Sequence, residues 1–237
     1  MTGRHPLIII GSGGHALVIW EILEQVGNVE VMGFTDPSTP SGTMKQLGSL
    51  SKPVLGGDDV LIEQLKTNPR LYGIAGVGPE PYAVRHAALD LLDTYGQERV
   101  FTAVHPRAVV SPAARLGAGS VVMAGAVVNP GVVMGRHCVI NTGATVDHEC
   151  QLSDNVFIQP GVHLGGRVVV GENAIVGIGA SVRERIRIGR HAYVGGGAFV
   201  NHDVPPHAVV IGVPAKFLRD RSKECEVERI VHRTVSR

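Results

Sequence analysis

The pair His148-Glu149 has the clearest chemical potential in this sequence; it closes the run Asn141-Thr142-Gly143-Ala144-Thr145-Val146-Asp147-His148-Glu149-Cys150. An imidazole titrates near neutral pH and is the usual side chain for taking a proton from an attacking nucleophile. A neighbouring carboxylate can orient that ring through its other nitrogen. A second cluster lies near the N-terminus, where Gly11-Ser12-Gly13-Gly14-His15-Ala16 follows the apolar run Leu7–Ile10. Asp36 comes about twenty residues later, so the spacing also fits a dinucleotide fingerprint. Backbone N–H groups that open a helix suit a phosphate. A glycine turn needed only for strand-to-helix packing would read the same way.

The elements that must carry these residues differ between the two halves. From Val104 to Val200, every sixth residue is aliphatic or Met, without a gap. Four residues further along each hexad, from Ala108 to Val204, the side chain is nearly always small or β-branched. Neither feature is a helix period of 3.6 or a strand period of 2. The pattern fits a solenoid of short parallel strands, three hexads making one 18-residue triangular coil. The large residue fills the interior and the small one fits beneath a corner. Gly117, Gly125, Gly135, Gly143, Gly171 and Gly189 are expected to supply turn conformations that a Cβ would strain. His148 lies two residues past the interior Val146, which places it on an outward corner. Cys138 and Cys150 fall in the small interior slot and read as packing residues. His137, His191, His202 and His207 read as solvated turn residues. Arg183-Glu184-Arg185-Ile186-Arg187 reads as a charged rung, either solvated or facing phosphates.

The first hundred residues alternate strand and helix. Strands are expected at 6–10, 29–34, 53–56 and 71–77. Helices are expected from Ala16, with Ile19, Trp20, Leu23 and Val26 on one face, and at 58–66 and 81–95. The polar, Gly/Ser-rich stretch 38–52 reads as a loop. This order gives a small parallel sheet flanked by helices.

Composition removes several function classes. With 22 Lys+Arg against 21 Asp+Glu the net charge is +1, which gives no footprint for nucleic acid or an acidic membrane. Aromatics at 4% are too few for a base-stacking platform. Three cysteines without CxxC spacing argue against a disulfide framework and a zinc site, and fit a reducing cytoplasm. Leu116–Gly135 is uncharged and long enough to span a membrane, but it carries five Gly, Asn129 and Pro130 and keeps the six-residue period. No membrane insertion and no catalytic metal are expected.

The repeat over about residues 104–205 resembles the hexapeptide repeat of left-handed β-helix acyltransferases. Its ending, Asn201-His202-Asp203-Val204-Pro205-Pro206 and then Gly212-Val213-Pro214-Ala215-Lys216, resembles the closure of the last coil in that superfamily. A tail from Phe217, with Val227, Ile230, Val231 and Val235 at helical spacing, is expected to pack as a short helix. Joined to an α/β half beginning Ile9-Ile10-Gly11-Ser12-Gly13-Gly14-His15-Ala16, the repeat makes the whole chain resemble one family. These are the bacterial sugar acetyltransferases of the bacillosamine-biosynthesis and sialic acid O-acetyltransferase type. The resemblance implies a Rossmann-like nucleotide-sugar-binding domain over residues 1–100 and a left-handed parallel β-helix over 101–237. It implies an acetyl-CoA-dependent N-acetyltransferase acting on a nucleotide-linked amino sugar in the cytoplasm, assembled as a homotrimer.

By the same resemblance His148 is the general base and Glu149 its partner, with Asn141 near the acceptor sugar. Gly11, Ser12, Gly13, Gly14, His15 and Asp36 would hold the nucleotide. Phe157, Gly166, Ile178, Gly179, Gly196 and Lys216 would line the acetyl-CoA site. At Phe157 the N-acetylating members often carry a second histidine, and this departure keeps O-acetylation of sialic acid or a surface-polysaccharide sugar open. Two further alternatives are an NAD(P)-binding protein and a non-catalytic β-helix scaffold.

Overall fold

The structure, a computed structural model, describes residues 4–224, which divide into two compact units after Pro106. In the first unit the buried run Leu7–Ile10 lies in β1 (His5–Ile10), the most deeply enclosed strand. It pairs in parallel with β2 (Val29–Thr35) on one side and with the later strand β5 (Tyr72–Ala75) on the other. Helix α1 (Gly14–Val26) buries Ala16, Ile19, Trp20, Ile22 and Leu23. Trp20 meets Phe34 edge to face at 5.6 Å between ring centres. Helices α2 (Asp58–Thr67) and α3 (Tyr82–Thr94) follow the expected bounds closely.

The stretch 38–52 corrects the loop expectation. It contains strand β3 (Met44–Leu47), which forms an antiparallel hairpin with β4 (Leu50–Gly56) through a turn in which Gly48 has φ 58°. The sheet order is β3-β4-β2-β1-β5. None of the β3 side chains is buried, so the strand carries no alternating apolar signal.

In the second unit each hexad supplies a two-residue strand and a four-residue turn. Strands stack in parallel at an offset of 18 residues. One side carries Val127, Thr145, His163, Ser181 and Phe199. The next carries Val133, Gln151, Val169 and Arg187. The third carries Val121, Val139, Phe157, Ile175 and Tyr193. From Val122 to Val200 every sixth residue is buried, and so is the small slot from Ser120 to Val204. Cys138 and Cys150 are fully enclosed there, and each thiol donates to a backbone carbonyl, of Ser153 and Gly165 respectively.

The corners do not all use glycine in the expected way. Gly125 and Gly143 do adopt left-handed φ of 68° and 66°. Gly117, Gly135, Gly171 and Gly189 do not; a Cβ on any of them would fall within 2.5 Å of an atom in the adjoining coil. Their role is close approach between coils. His137, Glu149, Asn155, Arg167, Asn173, Arg185, His191 and His207 take left-handed conformations without being glycine. His137 is buried, which corrects its reading as a solvated residue. His191 and His207 stack in parallel at 4.9 Å, whereas His202 is exposed.

The solenoid ends in an antiparallel hairpin of Ala208–Ile211 with Lys216–Asp220. Phe217 therefore lies in a strand rather than opening a helical tail. Cys225, Val227, Ile230, Val231 and Val235 lie outside the described residues. Among the described residues no helix is long and apolar enough to cross a membrane.

Candidate functional site

Helix α1 begins directly after Gly13, and no side chain caps it. Leu17 N–H donates to Gly13 O at 3.2 Å, so the backbone N–H groups of the first turn, at residues 14–16, point out of the N-terminal end of the helix. Gly11 has φ 89°, where a side chain is strained. Around Gly13 and Gly14 a Cβ would meet nothing within 4 Å, so packing does not require glycine at either position. The close-packed glycine is Gly76, whose Cβ would lie 2.6 Å from Ile9 and 2.8 Å from Ala16.

Asp36 follows β2 directly, beside this turn. Its Oδ2 accepts from Ser12 Oγ at 2.5 Å and its Oδ1 from Ser38 N–H at 2.9 Å. Burial works against its charge, but bonds from Ser12, Ser38 and Thr39 outweigh that and hold the carboxyl below the usual range. Burial and the Arg85 charge push His15 down to about 3, so it is neutral. Asp58, in the first turn of α2, is pushed up by burial and by Asp59 and Asp36. The first unit thus gathers Gly11, Ser12, Gly13, Gly14, His15 and Asp36 around one helix N-terminus.

In the second unit His148 projects from a corner with its side chain 51% exposed. Asp147 Oδ1 accepts from His148 N–H at 2.7 Å and from Asn129 Nδ2 at 3.0 Å, which fixes the turn. The His148 Nδ1 lies 3.0 Å from Glu149 Oε2. The same oxygen accepts from Arg167 Nε and Nη2, both at 2.9 Å. Bonds from His148 and Arg167, and the Arg167 charge, hold the Glu149 carboxyl below the usual range, so it is an acceptor only. In the neutral ring Nδ1 then donates, which leaves the lone pair on Nε2. A base with an oriented ring and a free nitrogen at an exposed corner is what proton removal from a nucleophile requires.

Gly166 stands 18 residues after His148, in the next coil. A Cβ there would fall 2.5 Å from His148 Nε2, so the imidazole lies over the bare α-carbon. Gly166 therefore belongs structurally with His148. The other expected cofactor residues are elsewhere. Ile178, Gly179 and Gly196 share one corner, where Gly197 N–H donates to Ile178 O at 2.8 Å; Ile178 is an exposed apolar residue. Asn141 opens the turn before strand Thr145–Val146, whereas His148 is in the turn after it, so the two occupy different corners. Asn141 lies on the Ile178 corner, two coils earlier. Phe157 is buried on a third side, and Lys216 is exposed in the terminal hairpin. Arg167, Asp147 and Asn129 were missed by residue-type reasoning. The signal that finds them is the 18-residue offset, which pairs 149 with 167, 148 with 166 and 129 with 147.

Comparison with known proteins identifies the family. Residues 6–81 match the family model of the PglD N-terminal domain. The acetyltransferase domain of PglB from Neisseria gonorrhoeae, in complex with acetyl coenzyme A, is 35% identical with a TM-score of 0.80, over 91% of this chain and all of that one. The chain belongs to the bacterial sugar acetyltransferases. PerB from Caulobacter crescentus, in complex with CoA and GDP-perosamine, is likewise 35% identical, with a TM-score of 0.79, over 92% of this chain and 98% of that one. WeeI from Acinetobacter baumannii, 23% identical with a TM-score of 0.73 over 90% of this chain and 99% of that one, shares the fold. A search of curated protein sequences found no match. The fold is accordingly a small α/β parallel-sheet domain followed by a left-handed β-helix. Among the described residues no three His, Cys, Asp or Glu side chains are grouped to hold a metal ion.

Proposed function

We propose that this chain is an acetyl-CoA-dependent N-acetyltransferase acting on the amino group of a nucleotide-linked amino sugar. The observation that carries the reading is the His148–Glu149 pair, with Nδ1 committed to the carboxylate and Nε2 free at an exposed corner. The complexes of PglB with acetyl coenzyme A and of PerB with CoA and GDP-perosamine, a nucleotide-linked amino sugar, support the substrate classes.

In this mechanism the sugar amine attacks the thioester carbonyl carbon. His148 Nε2 takes a proton from the amine as the new C–N bond forms. The C–S bond then breaks, and His148 returns the proton to the departing sulfur, leaving an amide and free CoA thiol. Glu149 stabilises the imidazolium in between. Transfer is direct, since Cys138 and Cys150 are enclosed. The N-terminus of the helix that follows Gly13, with Ser12, His15 and Asp36, holds the nucleotide. Asn141 lies near the acceptor. Gly166, Ile178, Gly179, Gly196, Lys216 and Phe157 contribute to the acetyl-CoA site. Their spread over two corners, a face and a hairpin supports a homotrimer in which neighbouring copies complete that site. The Phe157 ring has no polar atom where N-acetylating members often carry histidine, which keeps open as the second reading a hydroxyl acceptor on sialic acid or a surface-polysaccharide sugar.

The test is CoA-thiol release from acetyl-CoA with UDP-, GDP- and dTDP-linked amino sugars, and with sialic acid, after a thermal-shift panel that includes NAD. The expected result is turnover with one amino sugar and a loss of roughly 10²–10⁴ in His148→Ala with an unchanged Tm. Stabilisation by NAD alone, without response to acetyl-CoA, would overturn the reading.

A further inference from the structure

We propose that Arg167 is a positioning residue for the base, so that the working unit is Arg167–Glu149–His148 rather than a histidine–glutamate pair. The proposal rests on the reading above that His148 is the base. Glu149 is 53% exposed on a corner and, alone, would sample several rotamers. Arg167 closes both its Nε and Nη2 on Glu149 Oε2, the oxygen that faces His148 Nδ1. A guanidinium presents these two donors in a rigid fork, so it fixes a point in space as well as a charge. The backbone sets the fork in place: Arg167 N–H donates to His148 O at 2.9 Å, and Arg167 and Glu149 share the left-handed corner conformation, with φ 61° and 59°. That conformation is disfavoured for both residue types, yet it occurs at consecutive rungs of this corner.

Two consequences follow for His148. Its Nδ1–H has one acceptor at one position, which selects the tautomer with the lone pair on Nε2. The ring plane is also set, because Glu149 holds one edge while the α-carbon of Gly166 supports the other. Arg167 touches neither the amine nor the thioester in this account; it acts through Glu149. Asp147 has a separate task, since its Oδ1 accepts from His148 N–H and Asn129 Nδ2.

The test uses the full-length protein and three variants. Arg167→Gln is expected to lower kcat roughly five- to ten-fold, the effect of losing one half-exposed forked ion pair, with both KM values within about two-fold. Arg167→Lys, which keeps the charge but offers no fork, is expected to recover only part of kcat. Ring-¹⁵N spectra of His148, assigned with His148→Gln, should show Nδ1–H dominant in the wild type and a mixture of tautomers in Arg167→Gln. This readout needs no substrate and is insensitive to a purely structural role. A wild-type tautomer preference that persists unchanged in Arg167→Gln, with kcat also unchanged, would overturn the proposal while leaving His148 as base. No turnover by the wild type with any acceptor would instead overturn the parent reading, and the tautomer comparison would still decide the role of Arg167.

Discussion

Gly166→Ala gives a sharp test of the site geometry. The added Cβ would lie 2.5 Å from His148 Nε2, 2.8 Å from Cε1 and 3.1 Å from Cδ2. Carbon against a ring atom needs roughly 3.5 Å, so the imidazole must retreat by about 1 Å. It can do so, because the side chain is half exposed and the clashing atoms are its far end. Gly166 is not in the left-handed region, so alanine is compatible with its backbone. The fold should therefore be nearly indifferent. Alanine at a compatible glycine site stabilises by about 0.4–1 kcal/mol through the unfolded chain, which offsets the small cost of moving the ring.

Catalysis should not be indifferent. A misplacement of about 1 Å at a reacting group costs on the order of 100-fold. The expected outcome in a thiol-release assay is a kcat lower by about two orders of magnitude, with Tm unchanged or slightly raised. The KM values separate two roles for this glycine. A kcat loss at constant KM for acetyl-CoA means that the base has been displaced. A rise in KM with constant kcat means that Gly166 serves the cofactor alone. Activity within two-fold of wild type would refute the placement of the imidazole over this α-carbon. A collapse of Tm would refute the argument that the ring, rather than the backbone, yields.

The remaining predictions concern the enclosed thiol and the nucleotide end. Burial pushes the Cys150 thiol up to about 11, so native protein should resist thiol reagents at this position near neutral pH. Cys150→Ala should keep kcat within about two-fold at a stability cost of about 1 kcal/mol; a 100-fold kcat loss with the fold intact would bring an acyl-enzyme back. Asp36→Asn should weaken the nucleoside-diphosphate thermal shift by roughly ten-fold in apparent affinity at pH 7. Because the folded Asp36 carboxyl lies below its ordinary value, its stabilising contribution is full above about pH 4 and is lost as pH falls through the folded value. The Tm of Asp36→Asn should accordingly depend less on pH than that of wild type between about pH 5 and 3.

What could be read from the sequence follows from how many neighbours each side chain has to satisfy. The solenoid was legible because one residue in six is enclosed on all sides, so Val122 to Val200 admit only aliphatic residues or Met. β1 was legible for the same reason, since Leu7–Ile10 are covered on both faces. Strand β3 was not, because its residues are held by backbone bonds and keep at least partial access to solvent. At the candidate site the asymmetry is sharper. His148 announces itself by type and by its outward register, because proton chemistry restricts which residue can serve. Arg167 does not, since an exposed arginine in a turn is unremarkable until the 18-residue stacking places it over Glu149. Gly166 is conspicuous only in the structure, where its bare α-carbon lies against the His148 ring, because what matters there is a missing atom. In a solenoid each catalytic corner is built by residues one coil apart, so the addition of 18 to a chemically conspicuous residue identifies its support. Applied to His148 and Glu149, that arithmetic yields Gly166 and Arg167; applied to Asn129, it yields Asp147, whose carboxylate fixes the turn that carries His148.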